Sequence, residues 1–341
     1  MGKEYSIDKA KSLDCHGHGV LDIRDTPEYF LGLASWYIHR NLDKRSEQIQ
    51  RVLNGMSKLL PGDKLRYLSQ YLDTMDNTDD ERVEYHLQFY DVINVICVDL
   101  HFMGAGKCSR RYEEQIESAI RLKKKHNGRV KISMMLDPNR PNLYDLVCRY
   151  HKDIDIWKLY PTWYYVTDPR LRRIFNNFPK PVIVHCTNTS PVHWEGSRSE
   201  LKKKLEHNRD EYKVFRSKKW NCQFFSHPKY VFKMSLMYPN INWSWAHAGG
   251  HDNEYRDYIL SKLGGNLYAD DSFTYTNEVE IKKLVSILPY YENLMHGSDF
   301  FMTKVKTDYE RQVREYNVGV PKALRKKQLQ TGIRFLENKQ L

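Results

Sequence analysis

Two histidines near the start of the chain, His16 and His18, have the spacing of a metal-binding pair. Side chains two residues apart on a β-strand point to the same face, so both imidazoles can reach one ion. Such a pair also arises by chance in chains of this size, so its position in the fold decides its meaning. A short predicted strand ends at Cys15, which puts the pair at the carboxyl end of that strand.

Three more residues with ligand or acid–base chemistry end or follow predicted strands. His185 ends the run from Val182, His247 ends the run from Trp243, and Asp299 follows the last strand. A lone histidine in a strand is more often a buried structural residue than a ligand. Here three strands carry imidazoles at their ends and another is followed by a carboxylate, and all would face one mouth of a barrel. This coincidence predicts a site.

The elements that would position these residues follow a regular order. Short apolar, β-rich runs alternate with longer amphipathic segments, which predicts βα units and a parallel sheet. Eight strands are predicted: one ending at Cys15, then 92–98, 130–136, 154–159, 181–185, 241–247, 266–269 and 293–296. The predicted helices include 111–126, 168–178, 255–263, 277–288 and 308–336. The count predicts an α/β fold, a (β/α)8 TIM barrel, formed by one domain over residues 1–341.

Two connections are longer than a simple barrel needs. The segment 26–90 carries predicted helices at 46–60 and 63–75, and the segment 194–238 is rich in lysine and aromatic residues. They follow the carboxyl ends of strands 1 and 5, so we expect helical insertions that act as lids over the site. The alternative is that both segments pack against the outer helices.

At these residues the chain resembles a known family. Four motifs resemble, in order and spacing, those of the amidohydrolase superfamily: Asp14-x-His16-x-His18, the apolar strand ending in His185, the stretch from Met237 to Gly250 around His247, and Gly297-Ser298-Asp299-Phe300. The narrower resemblance is to the amidohydrolase-related branch (amidohydrolase 2), which includes decarboxylases, hydratases and lactonases of small acids. Residues 266–272 are similar to the seventh strand of that branch. The resemblance runs from Asp14 to Phe300.

The resemblance implies roles for the strand-end residues. His16, His18 and Asp299 would bind a divalent metal ion, and His185 would be a third imidazole ligand. His247 would bind a second metal ion or polarise substrate or water. Histidine and carboxylate donors suit Zn²⁺, which lowers the pKa of a bound water to about 7. We therefore expect Asp299 to serve as both ligand and catalytic base.

Lys158 ends the fourth predicted strand. By the resemblance, this position holds either a carboxylated lysine that bridges two metal ions or an unmodified lysine that meets an anionic substrate. We favour the unmodified lysine with one metal ion, and expect two ions if Lys158 is carboxylated. Arg24 and His193 lie just beyond strand ends and are expected to line the substrate pocket, although a surface location fits them equally well.

Composition limits the class of protein and its partners. The chain has 341 residues, of which 40% are hydrophobic, and no window approaches the roughly 18 uninterrupted apolar residues of a membrane span. With no signal peptide visible, we expect a cytoplasmic protein without membrane association. Six cysteines lack metal-type spacing and fit reduced thiols. The net charge of +11 raises nucleic acid as a partner, but the basic runs fit solvated helix faces better. Homo-oligomerisation is left open.

The sequence leaves three classes of function: a small-molecule metal enzyme, a metal-dependent nuclease and a non-catalytic barrel. The first is a metal-dependent hydrolase in which metal-activated water attacks an amide, lactone or ester bond of a small, anionic substrate. A decarboxylase or hydratase on the same metal site is the alternative, because fold and ligands serve both reactions. A TatD-like metal-dependent nuclease would suit the basic surface, but that group has a glutamate at the position of Lys158. A non-catalytic barrel would need a damaged site, and every expected ligand is present.

Overall fold

Eight parallel β-strands form the centre of the protein. The computed structural model describes residues 5–28, 33–44, 46–55, 72, 77–101, 107–161, 164–186, 225–249, 253–272, 278–300 and 309–338. The strands are β1 (Leu13–Gly17), β2 (Val92–Cys97), β3 (Val130–Met135), β4 (Ile156–Leu159), β5 (Val182–Val184), β6 (Trp243–Trp245), β7 (Leu267–Asp270) and β8 (Leu294–Met295). Each strand pairs with the next along the chain, and every pair is parallel. This confirms the predicted TIM-barrel fold.

Backbone hydrogen bonds just beyond the short strand β8 join it to β1. The Cys15 N–H donates to the His296 carbonyl at 3.0 Å, and the His18 N–H donates to the Phe300 carbonyl at 2.8 Å. Gly17 and Phe300 also form a parallel bridge. Because these bonds connect the first and last strands, the residues that follow β1 and β8 lie side by side at one end of the barrel.

Eleven helices surround or precede the strands in the described residues. They are α1 (Leu33–His39), α2 (Ser46–Gly55), α3 (Asp79–His86), α4 (Tyr112–Lys125), α5 (Leu143–Tyr150), α6 (Arg172–Asn177), α7 (Pro228–Met237), α8 (Asn253–Leu260), α9 (Glu278–Ile287), α10 (Tyr309–Gly319) and α11 (Lys322–Leu336). Local chemistry explains their starts. Thr78 and Glu81 form a capping box that begins α3, and Pro228 occupies the first turn of α7. None of the described helices combines the length and apolar character that spanning a bilayer requires.

The two long connections are described in part. Between β1 and β2 lie α1, α2 and α3, whereas most of the predicted helix 63–75 is outside the described residues. In the segment 194–238 the structure describes residues 225–238, which contain α7. The role of either segment as a lid stays a prediction.

Several element boundaries differ from those predicted. The segment 308–336 is two helices, because Gly319 and Pro321 interrupt it and Pro321 becomes the N-cap of α11. β1 continues past Cys15 to Gly17, so His16 lies within the strand. Strands β4, β5 and β6 are shorter than predicted, because Ile154, Pro181 and Ile241 lie before them and are buried outside the strands. Apolar runs indicate burial, and burial alone does not place a strand end.

The end of the barrel opposite the strand-end histidines is filled by apolar side chains. Ile156 and Ile183 belong to a buried cluster with Tyr268 and Phe335. Phe335, near the end of α11, packs its ring 5.4 Å from the ring of Tyr268. The same helix packs against β1 and β8, so it supports the two strands that carry His16 and precede Asp299.

Gly332 allows α11 to approach β1 closely. A Cβ at this position would lie 2.7 Å from the Cys15 sulfur and 2.8 Å from a methyl carbon of Leu13, too close for either contact. We expect Gly332→Ala to lower the free energy of unfolding by about 1–2 kcal/mol, because overpacking outweighs the gain in helix propensity. Urea unfolding followed by circular dichroism measures this. Gly55→Ala is the control, since no atom lies within 4 Å of a Cβ there. Equal stability of the two variants would contradict the packing argument.

Candidate active site

His16 and His18 come together at the carboxyl end of β1. The pairing of β1 with β2 shifts register between Asp14 and Gly17, so one extra residue lies in β1 at this point. Bulges of this kind re-aim side chains near sites. The two imidazole rings lie 5.4 Å apart between centroids, and both residues are buried.

Asp299 brings a carboxylate to this pair from the turn after β8. Its Oδ1 lies 3.7 Å from His16 Nε2 and 3.3 Å from His18 Nε2. The Asp299 backbone adopts a φ of +52°, which is uncommon for a residue with a side chain, and its N–H donates to the His16 carbonyl at 2.8 Å. This backbone bond holds the strained turn against β1.

The three side chains form a donor set that fits a metal ion. One ligand atom from each lies within 4.8 Å of the others, and all three residues are buried. Two imidazole nitrogens and one carboxylate oxygen are donors that zinc and similar divalent ions accept. The sequence predicted these three residues as ligands, and the structure brings them together.

Asp270, at the end of β7, orients His16 from its other side. His16 Nδ1 lies 3.1 Å from Asp270 Oδ2. A neutral His16 donates its Nδ1 proton to this carboxylate, which leaves the Nε2 lone pair facing Asp299. His16 and Asp270 also form a second possible donor set with His247, but that set would use the Nδ1 side of His16. We interpret Asp270 as the residue that fixes the ring.

Asp14 holds the base of the site together. Its Oδ1 accepts hydrogen bonds from the backbone N–H groups of His16 and Ser298, both at 2.9 Å. Its Oδ2 accepts from the Ser298 hydroxyl and lies 2.7 Å from His86 Nε2. Burial raises the pKa of Asp14, but the hydrogen bond to His86 and the charge of that ring outweigh it and lower the pKa overall. A single ionised carboxylate therefore ties β1, α3 and the turn after β8.

His247 and His185 form a pair beside the three-residue set. His247 Nε2 lies 3.3 Å from His185 Nδ1, and the His247 ring centroid lies 4.9 Å from that of His16. His247 has a φ of +65°, and its N–H donates to Asp270 Oδ1 at 3.0 Å. His185 contacts His247 and is not part of the compact donor sets found among the described residues. Its role as a metal ligand, like the catalytic role of His247, stays a prediction.

Lys158 points into the barrel toward the same residues. Its Nζ lies 3.4 Å from His16 Nε2, and the residue is only 1% exposed. Burial lowers the pKa of Lys158 to about 8, against the opposing charges of Asp270 and Asp299. An ammonium group at this place can meet an anionic group of a substrate.

Three imidazoles of the site, those of His16, His185 and His247, have lowered pKa values and are held neutral. Burial is the main cause that lowers the pKa values of His16, His185 and His247, and nearby Lys158 adds to it. Burial raises the pKa of Asp299, but the hydrogen bond with His18 and the neighbouring imidazoles outweigh it and lower the pKa overall. Neutral imidazoles and an ionised carboxylate are the protonation states in which these side chains bind metal.

The two remaining predicted substrate contacts have different outcomes. Arg24 lies in the short 3-10 helix Ile23–Asp25 and pairs with Asp22, with its Nε 3.1 Å from Asp22 Oδ2 and its side chain half exposed. Its role in substrate binding stays a prediction. His193 lies outside the described residues.

Sequence reasoning assigned no role to Asp14, Asp270, Ser272 or His86. Asp270 and Ser272 follow a predicted strand in the same way as the candidate ligands, so their position was a usable signal. The Ser272 hydroxyl donates to Asp270 and lies 2.9 Å from His247 Nδ1. His86 is on α3, far along the chain from Asp14, and no local pattern indicated their contact.

The comparisons with known proteins add distant structural similarities. Neither a protein-family model nor a curated protein matches the chain. One solved structure, 2,6-dihydroxybenzoate decarboxylase complexed with 2,6-dihydroxybenzoate, is 12% identical with a TM-score of 0.49, over 84% of this chain and 95% of its own. Another, dihydroxybenzoic acid decarboxylase from Polaromonas sp. JS666 with bound manganese and the inhibitor 2-nitroresorcinol, is 13% identical with a TM-score of 0.48, over 95% and 96%. Similarity at this level assigns no activity to the chain.

Asp270 should affect metal binding without touching the ion. Because its carboxylate fixes the His16 ring, we expect Asp270→Asn to weaken metal affinity by about 10–100-fold while the fold is retained. Competition with a chromophoric chelator measures the affinity. Asp99→Asn is the control, because Asp99 is a similarly buried carboxylate that pairs with Arg140 and belongs to neither candidate donor set. If both variants bind metal as the parent does, the orienting role is wrong.

Proposed function

We propose that this chain is a metal-dependent enzyme of the amidohydrolase superfamily, of its amidohydrolase-related branch, acting on a small carboxylated substrate. The observation that carries the proposal is the convergence of His16, His18 and Asp299 in the mouth of the barrel, with Lys158 beside them. The order of the sequence motifs and the strand order of the barrel support the family assignment.

His16, His18 and Asp299 would hold a divalent ion. When bound, such an ion acts as a Lewis acid that polarises an oxygen of the substrate or of water. Both Zn²⁺ and Mn²⁺ are candidates, because an imidazole–carboxylate donor set accepts either. We favour one ion per chain, with a second only if Lys158 is carboxylated.

For the reaction, we propose decarboxylation ahead of hydrolysis. Six residues face the centre of the site, and each is no more than 9% exposed: His16, His18, Lys158, His185, His247 and Asp299. A site shielded from solvent suits a reaction that does not consume water and suppresses competing hydrolysis. In decarboxylation the bond between carbon and carboxylate breaks, CO₂ leaves, and one proton replaces it on carbon. Hydrolysis of an amide, lactone or ester uses the same residues and is the alternative outcome of the test.

The residues of the site divide this work by their positions. Lys158 can bind an anionic group of the substrate as a point charge in a region of low dielectric. Asp299, which is ionised, can take a proton from a substrate hydroxyl or from water and deliver it to the carbon that loses CO₂, and His247 can hydrogen-bond the substrate next to it. Asp270 fixes the imidazole of His16, and Ser272 fixes that of His247.

A substrate panel separates the two reactions. Phenolic carboxylates, beginning with the 2,6-dihydroxybenzoate bound in one of the similar solved structures, are compared with lactones, amides and a DNA duplex. Release of CO₂ is measured for the first group and acid release or strand cleavage for the others. Turnover of carboxylates alone supports decarboxylation. Turnover of lactones or amides alone would favour hydrolysis, and DNA cleavage would contradict the substrate class.

Loss of the Asp299 carboxylate should abolish turnover. We expect Asp299→Asn to lower kcat by about 100-fold or more, because proton exchange and metal binding both need the carboxylate. Metal content by mass spectrometry and circular dichroism are measured on the same sample. Asp257→Asn, an exposed carboxylate on α8, is the control. Unchanged turnover in Asp299→Asn would remove this residue from the mechanism.

Lys158 distinguishes a substrate contact from a metal bridge. If it is an unmodified contact, Lys158→Met raises KM about tenfold or more, because a charge-assisted hydrogen bond is lost, and the metal content of one ion per chain does not change. If it is carboxylated, the parent holds two ions and the variant fewer. Lys180→Met, a partly buried lysine near the Trp157 ring, is the control. A variant with parental KM and metal content would contradict both roles.

A further inference from the structure

A second cavity lies between the barrel wall and helices α10 and α11. Its volume is about 490 Å³, within the range of small-molecule sites. Leu13 of β1 and His296, directly after β8, line it from the barrel, and Tyr316 and Leu329 line it from the helices. None of the candidate metal ligands lines this cavity, so it is separate from the candidate active site. We call it the basic pocket.

Four basic side chains line the basic pocket: Lys11, Lys322, Arg325 and Lys326. Within the described part of the chain, no carboxylate forms an ion pair with any of them. The nearby carboxylates have other partners. Asp91 accepts from the Lys11 backbone N–H at 2.7 Å. Asp271 accepts from Gln328 and from the Gly297 N–H, and its Oδ1 lies 3.2 Å from Nδ1 of His296 in the pocket wall. No acidic side chain is among the described residues that line the pocket, so the four cations give its surface a positive potential.

The start of α11 adds to this potential. Lys322, Arg325 and Lys326 all lie in its first two turns, and the first turn has no acidic residue. The N-cap is Pro321, which supplies no side-chain acceptor to the free N–H groups. Cations at a helix N-terminus are repelled by the positive end of the helix dipole. An anion at the same place is attracted by the dipole and by the cations. This 15-residue helix thus begins in a way that favours a bound anion.

Arg325 is the least exposed of the four cations. One guanidinium nitrogen, Nη1, donates to Asn317, but Nε is buried and has no hydrogen-bond partner. A buried donor of a charged group without an acceptor costs free energy. Because Nε is closed off by protein atoms, an anion in the pocket would meet the rest of the Arg325 guanidinium.

The wall of the basic pocket is aromatic. The His296 ring stacks on the Tyr316 ring at 4.1 Å between centroids and an angle of 15°, and the Tyr90 hydroxyl lies 2.8 Å from His296 Nε2. Phe89 lies beside them. Such a wall favours a planar body, and the cations favour a negatively charged group. We propose that the basic pocket binds a small phosphorylated aromatic metabolite of the nucleoside monophosphate class.

Calorimetric titration of the full chain with AMP tests the proposal. We expect one AMP per chain, with adenosine and inorganic phosphate each binding at least about tenfold more weakly, because each keeps only one half of the contacts. Absence of AMP binding would overturn the proposal. Phosphate binding as tight as that of AMP would overturn the aromatic part of it.

Variants locate the binding. Lys322→Glu with Lys326→Glu should weaken AMP binding about tenfold or more. Lys124→Glu with Lys152→Glu changes the net charge equally at exposed positions elsewhere and should leave binding within about twofold of the parent. Equal effects of the two double variants would overturn the assignment to the pocket. AMP binding should persist in Asp299→Asn, and its loss there would place AMP in the candidate active site instead.

Discussion

The buried carboxylate of Asp14 is the constraint on which the site depends. Burying a charge is costly unless hydrogen bonds replace its water. Here two backbone N–H groups, the Ser298 hydroxyl and the His86 ring surround it. Three of these four donors belong to β1 or to the turn after β8. The interaction that satisfies the carboxylate therefore also closes the barrel and sets the separation of His16 from Asp299.

Other buried side chains, those of Asp270 and Ser272, hold the imidazole rings of the site in place. Asp270 contacts Nδ1 of His16, and Ser272 contacts Nδ1 of His247. The Nε2 atom of His16 then faces Lys158 and Asp299, and that of His247 faces His185. Burial keeps those rings neutral, while Lys158 supplies a cation nearby. The centre thus combines basic nitrogens, one anionic oxygen and one ammonium group in a small volume with little access for water. Such a volume strengthens each electrostatic contact with a substrate.

The sequence was sufficient to predict the barrel and the meeting of His16, His18 and Asp299 at one end of it, because both depend on local patterns, whereas their assignment as ligands rests on the family resemblance. Apolar runs mark strands, and polar residues after them mark one end of a parallel barrel. The network beneath was beyond such reasoning. His86 reaches Asp14 from a helix, and only the folded arrangement shows that contact. Gly319 and Pro321 are signals for the break between α10 and α11, because proline interrupts a helix. The amphipathic pattern that continues across them predicted one helix instead.

The backbone at His247 and Asp299 has a consequence for how sequences of this kind can change. Both residues hold positive φ values of +65° and +52°, which a glycine would adopt without strain. A glycine at either position would relieve strain and remove a functional group at once. Under the proposed function, a glycine at either position would therefore exchange activity for stability.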